Sequence, residues 1–174
     1  MHVMIDLETM STAPNAAIVS LGAVLMNNIA EEISVFYCTV SLESSARAGL
    51  HIDPNTVMWW MRQSDEARQA LAQDRTDLTD ALTDFSDWLP PFVEGVWGNG
   101  ATADNVWLVE AYRATGLKRP WLYKSDRCYR TFRAQHRDVD DPIKNTDAHN
   151  ALADARWQAS FMRNVCEQKG LILE

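Results

Sequence analysis

The sequence predicts an α/β protein in which a mixed central sheet of about five strands, the first three antiparallel, is flanked by α-helices. Two patterns support this fold class: early segments alternate apolar and polar residues, and later segments repeat apolar residues at helical spacing. The chain has 174 residues, 47% of them hydrophobic and 23% charged, which is ordinary for a globular protein. We therefore expect one domain, spanning residues 1–174, around a single core.

The first three strands are predicted from the alternation of side chains. From Val3 to Glu8 the apolar residues point to one side of the chain, while Asp6 and Glu8 point to the other. Residues 18–25 and 33–40 form two further β segments, and the short polar connection between them favours an antiparallel meander with the first strand. Two carboxylates therefore share one face of the first strand.

Helices are predicted where a capping residue precedes an apolar repeat. Asp53 and Pro54 are typical of an N-cap and a first helical position, and this helix is expected to continue to about Leu71. The next helix is indicated by apolar residues at helical spacing that end before Pro90: Leu78, Leu82, Phe85 and Leu89. We expect this stripe to pack in the core.

The second half of the chain alternates short strands with helices. Residues 92–97 are predicted to form a buried strand, and residues 104–115 a helix. A last short strand at residues 121–123 and a helix over residues 126–135 follow. The final helix is indicated by apolar residues at helical spacing before a glycine: Leu152, Ala155, Ala159, Met162 and Cys166.

The carboxylates of Asp6 and Glu8 are the first candidate functional groups. Two ionised carboxylates on one strand face repel each other, so a buried pair requires cations or raised pKa values. Their hard oxygen atoms suit Mg²⁺ or Mn²⁺. The alternative is that the pair only covers the solvated face of an edge strand, but the flanking apolar residues favour a central strand.

His149, Asp154 and Asp104 are candidates whose positions depend on helix boundaries. On a continuous helix, residues five apart are separated by about 140°, so His149 is expected just before the last helix or in its first turn. There its imidazole could reach a water molecule beside Asp154, since histidine exchanges protons near neutral pH. Taken alone, His149 also fits an exposed residue near a helix cap, and Asp104 is most simply an N-cap.

Three segments, MIDLET, WGNGATADN and HNALAD, occur together in this order. Combined, they resemble the DEDDh family of 3'-5' exonucleases, which has the ribonuclease H-like fold, over nearly the whole chain. His149 and Asp154 have the family's five-residue offset. The chain looks most like compact phage and prophage members and a small mycobacterial exoribonuclease. It departs from many relatives at Ala103, where they have an aromatic residue.

The resemblance implies a two-metal-ion 3'-5' exonuclease that releases nucleoside 5'-monophosphates from single-stranded DNA or RNA, or from 3' overhangs. One Mg²⁺ or Mn²⁺ would be held by Asp6, Glu8 and Asp154, and the second by Asp6 and Asp104. His149 would act as the general base. All five residues are therefore expected to be catalytic, with two divalent cations as cofactors.

Substrate contacts are expected from Thr9 and Met10 at the first motif, from Asn99 in the second motif, and from Trp60. Core packing explains Met10 equally well, and packing explains most of the seven tryptophans in the chain. Trp59 and Trp60 could stack on exposed bases. Alternatively, Trp59 could lie in an interface, because a homodimer is possible and dimers are common among the small relatives.

The formal net charge of −8 argues against broad electrostatic binding to nucleic acid, because such proteins usually have a basic surface. A short single-stranded 3' end can still be held by stacking and a few cationic contacts. Some arginines could contact phosphates. Arg127, Arg130 and Arg133 also fit a solvated helix face, and for them we prefer this interpretation to phosphate contacts. The expected partner is therefore the 3' end of a single strand.

Other function classes have less support. The three scattered cysteines fit neither a disulfide framework nor a thiolate zinc site. With no apolar stretch long enough to span a membrane and no signal peptide, we expect a cytoplasmic protein without membrane contact. Two alternatives stay open: a catalytically silent ribonuclease H-like module for binding or assembly, and a hydrolase that uses His149 as a zinc ligand.

Overall fold

A six-stranded mixed sheet forms the centre of the protein in the computed structural model, which describes residues 1–142 and 149–174. The strands are β1 His2–Thr9, β2 Ile18–Met26, β3 Glu32–Val40, β4 Arg75–Thr76, β5 Gly95–Gly98 and β6 Asp126–Cys128. Across the sheet their order is β4-β3-β2-β1-β5-β6. β1, β2 and β3 pair antiparallel, whereas β4, β5 and β6 each pair parallel with a neighbour. The fold class and the antiparallel start are confirmed, with one more strand than expected.

Seven α-helices and one 3₁₀ turn, at Tyr123–Ser125, are found in the described ranges. The α-helices are α1 Leu42–Arg47, α2 Pro54–Trp60, α3 Asp65–Ala70, α4 Leu78–Trp88, α5 Asp104–Ala114, α6 Tyr129–Gln135 and α7 Ala151–Lys169. None of these helices has the combination of length and apolar character that crossing a membrane requires.

The central strand β1 separates two hydrophobic cores. On one face Val3, Ile5 and Leu7 pack with residues of α4 and α5, including Phe85 and Leu108. On the other face Met4 joins β2 residues and the apolar side of α7. Because side chains alternate along a strand, Asp6 and Glu8 continue the face that α7 covers. The two carboxylates, which are predicted to share one face of the strand, therefore lie beside α7.

The first turn of α7 lies directly on the sheet at Gly22. A Cβ atom at Gly22 would lie 2.3 Å from the backbone carbon of Ala151 and 2.3 Å from the backbone nitrogen of Leu152. Gly22 is also the register partner of Asp6. Since no side chain separates β2 from the helix, the beginning of α7 can approach the carboxylates of β1 closely.

The prediction of one helix from residue 53 to about residue 71 is wrong. Asp53 caps α2 as expected, with its side chain accepting a hydrogen bond from the amide of Asn55, but α2 ends at Trp60. Ser64 then caps a separate helix, α3, by accepting a hydrogen bond from the amide of Ala67. A second serine cap therefore divides the predicted helix.

The predictions around residues 121–135 are displaced. The last strand is Asp126–Cys128 instead of residues 121–123, and α6 begins at Tyr129 instead of residue 126. Trp121 is buried, and its indole N–H donates to Oδ1 of Asp126 over 2.8 Å. Trp121 therefore anchors a loop and does not belong to a strand. The preceding strand, β5, begins at Gly95, three residues later than predicted.

Candidate active site

Asp6, Glu8 and Asp154 form a carboxylate cluster where β1 meets α7. One oxygen atom from each side chain lies within 4.8 Å of those of the other two. Asp154 is in the first turn of α7, whose N-cap, Asn150, accepts a hydrogen bond from the amide of Ala153 over 3.0 Å. The local sequence therefore fixes the start of the helix so that its first carboxylate faces the strand.

Burial and mutual repulsion disfavour full ionisation of this cluster. Burial is the main cause that raises the pKa of Asp6 well above its ordinary value, and the charges of Asp104, Glu8 and Asp154 raise it further. The pKa of Glu8 rises to about 8, again chiefly through burial and then through Asp154 and Asp104. Three close oxygen ligands that repel one another suit a hard divalent cation, which relieves that repulsion.

Asp104 stands beside the cluster and is fixed by backbone amides. Oδ1 accepts a hydrogen bond from the amide of Leu7 over 3.0 Å, and Oδ2 accepts one from the amide of Asn99 over 2.7 Å. Burial raises the pKa of Asp104 to about 6, although these hydrogen bonds act to lower it. The N-cap interpretation is wrong: Ala103 holds the cap position, and Asp104 is the first helical residue of α5.

A diverging pair of parallel strands makes room for Asp104. The pairing of β1 with β5 ends at Met4 and Trp97, so the amide of Leu7 is free to bond Asp104. At the end of β5, a Cβ atom on Gly98 would lie 3.0 Å from the Cβ atom of Asp104, so the glycine lets α5 begin immediately beside the sheet. The site thus lies at the carboxyl ends of parallel strands, a common place for ligand sites.

Gln158 is a site residue that the sequence interpretation missed. Its Nε2 atom donates a hydrogen bond of 2.6 Å to Oδ1 of Asp6, and its side chain is 1% exposed. Gln158 follows Asp154 by four residues on α7, so both side chains lie on the helix face directed at β1. That spacing was the signal that could have identified it.

His149 lies just before α7, as predicted. It adopts a left-handed backbone conformation with φ of 68° and precedes the N-cap Asn150. Its half-buried ring contacts two indoles edge-on, with ring centroids 4.9 Å from Trp59 and 5.9 Å from Trp60. These contacts and the N-cap position hold the imidazole close to the start of the helix that carries Asp154.

The four predicted substrate residues differ in their surroundings. Trp60 is 4% exposed, and its indole N–H donates to the carbonyl of Thr9 over 3.0 Å. Met10 packs against the core, and the amide of Asn99 holds Asp104. By contrast, Trp59 is 41% exposed. A cleft of about 480 Å³ opens beside the carboxylates, lined by residues that include Glu8, Thr9, Thr12, Asn55, Trp59 and Trp107.

Comparison with protein families matches residues 1–166 to the 3'-5' exoribonuclease Rv2179c-like domain. The chain belongs to this family. The description of this family, a 3'-5' exoribonuclease domain, agrees with the class of enzyme that the three motifs predicted. The match includes both strand carboxylates, Asp104, His149 and Asp154.

One curated relative of this Rv2179c-like domain is a protein of Enterobacteria phage T4 named exodeoxyribonuclease. The two are 27% identical over 124 aligned positions, and the alignment covers 63% of this chain and 55% of the phage protein. The Rv2179c-like domain therefore matches little more than half of that relative.

Solved structures similar to the Rv2179c-like domain show its fold. The zinc-bound complex of E. coli ExoI with single-stranded DNA superposes with a TM-score of 0.70 at 14% identity, covering 97% of this chain and 41% of ExoI. The nuclease domain of 3'hExo, a DEDDh family member bound to rAMP, gives a TM-score of 0.64 at 14% identity and covers 99% of this chain and 96% of that domain. The expected ribonuclease H-like exonuclease fold is confirmed.

Proposed function

We propose that this Rv2179c-like domain is a two-metal-ion exonuclease that removes nucleoside 5'-monophosphates from the 3' end of a single strand. The observation that carries the proposal is the convergence of Asp6, Glu8 and Asp154 within 4.8 Å at one end of β1. Asp104 beside them and His149 at the start of α7 supply the remaining groups that this chemistry needs.

Asp6, Glu8 and Asp154 are proposed to hold one cation, and Asp6 with Asp104 a second. Carboxylate oxygens favour Mg²⁺ or Mn²⁺, and the raised pKa values of Asp6 and Glu8 mean that binding a cation displaces protons from these groups. When bound, such cations acidify a water molecule and neutralise charge on the phosphate. The hydrogen bonds from Leu7 and Asn99 leave Asp104 little freedom to rotate.

His149 is proposed to accept the proton of the attacking water. General bases contribute when they are held in the correct orientation. Here the edge-on contacts of Trp59 and Trp60 limit the positions that the imidazole ring can adopt. Because His149 precedes the helix, its ring approaches from beside Asp154 instead of competing with it for the same ligand position.

The terminal nucleotide is proposed to enter the cleft between β1 and α2. The exposed indole of Trp59 offers a face for stacking on a base. Thr9 lies in the same cleft, and its carbonyl accepts a hydrogen bond from the indole N–H of Trp60, which fixes the position of Thr9. Met10 and Asn99 are proposed to contribute through the loops that border the site. Stacking does not distinguish sugars, so both DNA and RNA are candidate substrates.

The phage relative named exodeoxyribonuclease and the ExoI complex with single-stranded DNA support a single-stranded nucleic-acid substrate. A homodimer and a cytoplasmic location stay predictions from the sequence.

The test is a time course on matched 5'-labelled single-stranded DNA and RNA oligomers in Mg²⁺, Mn²⁺, Zn²⁺ or EDTA. The proposal expects a ladder that shortens from the 3' end in Mg²⁺ or Mn²⁺, with no cleavage in EDTA or by the Asp154→Asn variant. Internal cleavage products, or activity that requires Zn²⁺ alone, would contradict it.

A further inference from the structure

Three arginines of α6 and the residues after it line one open pocket. Arg130 and Arg133 are three residues apart on α6, so their side chains are neighbours on the helix surface, and Arg137 follows the C-cap of the helix, His136. With neighbours that include Asp141 and Phe161 they border a pocket of about 430 Å³. We call Arg130, Arg133 and Arg137 the α6 arginine surface.

Within this surface, Arg133 has a structural role. Its guanidinium pairs with both oxygen atoms of Asp141 and lies over the rings of Trp157 and Phe161, 5.6 Å and 5.9 Å from their centroids. An arginine held by a carboxylate and two aromatic rings is neutralised and fixed in place. Arg133 therefore forms the wall of the pocket and adds no net charge to it.

Arg130 and Arg137 leave the pocket with an excess of positive charge. Both are exposed, and neither has an ion pair with any residue in the described parts of the chain. Elsewhere, arginines commonly pair with carboxylates in this acidic protein, as these do: Arg47, Arg68, Arg113, Arg119, Arg156 and Arg163. In the described residues Arg62, Arg75 and Arg127 also have no ion pair, but Arg130 and Arg137 are the two of this kind that line one pocket, in a chain of net charge −8.

The surface begins at the candidate active site. A Cβ atom at Gly100 would lie 3.8 Å from Cζ and Nη1 of Arg130. Gly100 adjoins Asn99, whose amide donates to Asp104. Arg130 therefore stands next to the loop that fixes Asp104, and Arg137 lines the same pocket as Arg130.

We propose that Arg130 and Arg137 bind phosphates of the strand that the enzyme retains, on the 5' side of the bond being cleaved. This inference rests on the proposed function: the second cation, which Asp104 would help to hold, would stabilise the leaving 3' oxygen. This oxygen belongs to the retained strand, so that strand would leave the site past Asp104. Guanidinium groups bind phosphates through paired N–H donors, and a contact with a phosphate does not depend on the identity of the base or the sugar. The surface accordingly serves DNA and RNA alike.

The test compares the Arg130→Gln/Arg137→Gln double variant with the Arg113→Gln/Arg163→Gln double variant, which changes the net charge equally. Arg113 and Arg163 already pair with Glu110 and Glu167. Fluorescence anisotropy measures the binding of labelled dodecamers of DNA and RNA in EDTA over a range of salt concentrations. In a plot of the logarithm of the association constant against the logarithm of the salt concentration, the slope should become less steep by about 0.7 for each arginine removed from the surface. The control variant should keep the wild-type slope.

The proposal that this surface binds phosphates would be overturned if wild type and the Arg130/Arg137 variant had equal slopes, or if both double variants lost the same amount of slope. A cleavage assay adds a second readout: the ratio of kcat/KM for a dodecamer to that for a dinucleotide should fall in the surface variant, and an unchanged ratio counts against the proposal. If wild type binds the dodecamers but cleaves nothing with Mg²⁺ or Mn²⁺, the proposed function fails. The slopes of the salt dependence still show whether Arg130 and Arg137 bind phosphates.

Discussion

Gln158 donates a hydrogen bond of 2.6 Å to Oδ1 of Asp6, and it stands one helical turn after Asp154 on α7. The same helix therefore supplies one carboxylate of the cluster and orients another on β1. Groups that orient metal ligands commonly change metal affinity or activity by about 10–100-fold when they are removed. Gln158 is thus expected to matter for the site more than for the stability of the fold.

Replacing Gln158 with leucine should weaken Mn²⁺ binding by about 10–100-fold. The free energy of unfolding should change little, because leucine removes the buried Oε1 atom, which has no hydrogen-bond partner in the described residues, and this gain offsets the loss of the hydrogen bond to Asp6. Titration calorimetry with Mn²⁺ and urea denaturation measure the two effects. The exposed Gln135→Leu variant is the control, and wild-type Mn²⁺ affinity in Gln158→Leu would refute the orienting role.

The stability of the metal-free protein should fall as pH rises. The folded state raises the pKa of Glu8 from its ordinary value of 4.5 to about 8, so it binds more protons than the unfolded state across that window. The stabilising contribution of protonated Glu8 is complete below its ordinary pKa of 4.5 and is lost as the pH rises through its folded-state pKa of about 8. Thermal unfolding in EDTA should show a decreasing Tm between these pH values.

The Glu8→Gln variant should show a flatter dependence of Tm on pH, because its amide does not titrate. Added Mn²⁺ should raise the Tm of wild type most at the alkaline end, where the carboxylates lose their protons to the cation most easily. A wild-type Tm that increases with pH in EDTA, or a variant as steep as wild type, would count against this assignment.

His149→Ala should reduce kcat by about 10²–10⁴-fold while leaving Mn²⁺ affinity near that of wild type, because the imidazole is proposed to move a proton and not to hold the cation. Single-turnover kinetics with a labelled oligomer and Mn²⁺ calorimetry separate the two properties. His136→Ala, which changes a histidine outside the site, serves as the control. A large loss of Mn²⁺ affinity in His149→Ala would instead indicate a ligand role.

Gly22→Ala should destabilise the protein, because the added methyl group would lie 2.3 Å from backbone atoms of Ala151 and Leu152. Overpacking of this kind typically costs about 1–3 kcal/mol, and any relief moves the start of α7 and Asp154 away from β1. Urea denaturation measures the first effect and Mn²⁺ affinity the second. Ser20→Ala on the same strand is the control; unchanged values for Gly22→Ala would show that α7 does not rest on β2.

Side-chain alternation in β1 correctly predicted that Asp6 and Glu8 share a face, because that pattern is local and the strand is central. The offset between His149 and Asp154 likewise predicted a histidine ahead of the helix, since helical geometry leaves few alternatives. These parts of the site depend on neighbours in sequence, which is why the sequence could predict them.

The partners of Asp104 could not be predicted, because its hydrogen bond to Leu7 joins residues 97 positions apart. Trp59 and Trp60 are alike in the sequence, yet one is exposed and the other buried, since adjacent helical residues point about 100° apart. Which of the two faces the core depends on how α2 docks against Thr9. The contact of Trp60 with substrate stays a prediction, and the exposed Trp59 is the residue that we propose for stacking on a base.

The assignment of the carboxylate cluster as the active site can be tested by the rate of mononucleotide release from a single-stranded oligomer. Wild type and Asp6→Asn are purified in parallel and assayed in saturating Mn²⁺. Asp6 is proposed to contact both cations, so the rate should fall by more than about 100-fold, the upper range for losing a group that only orients a ligand. If the variant released mononucleotides at the wild-type rate, the carboxylate cluster would not be the active site.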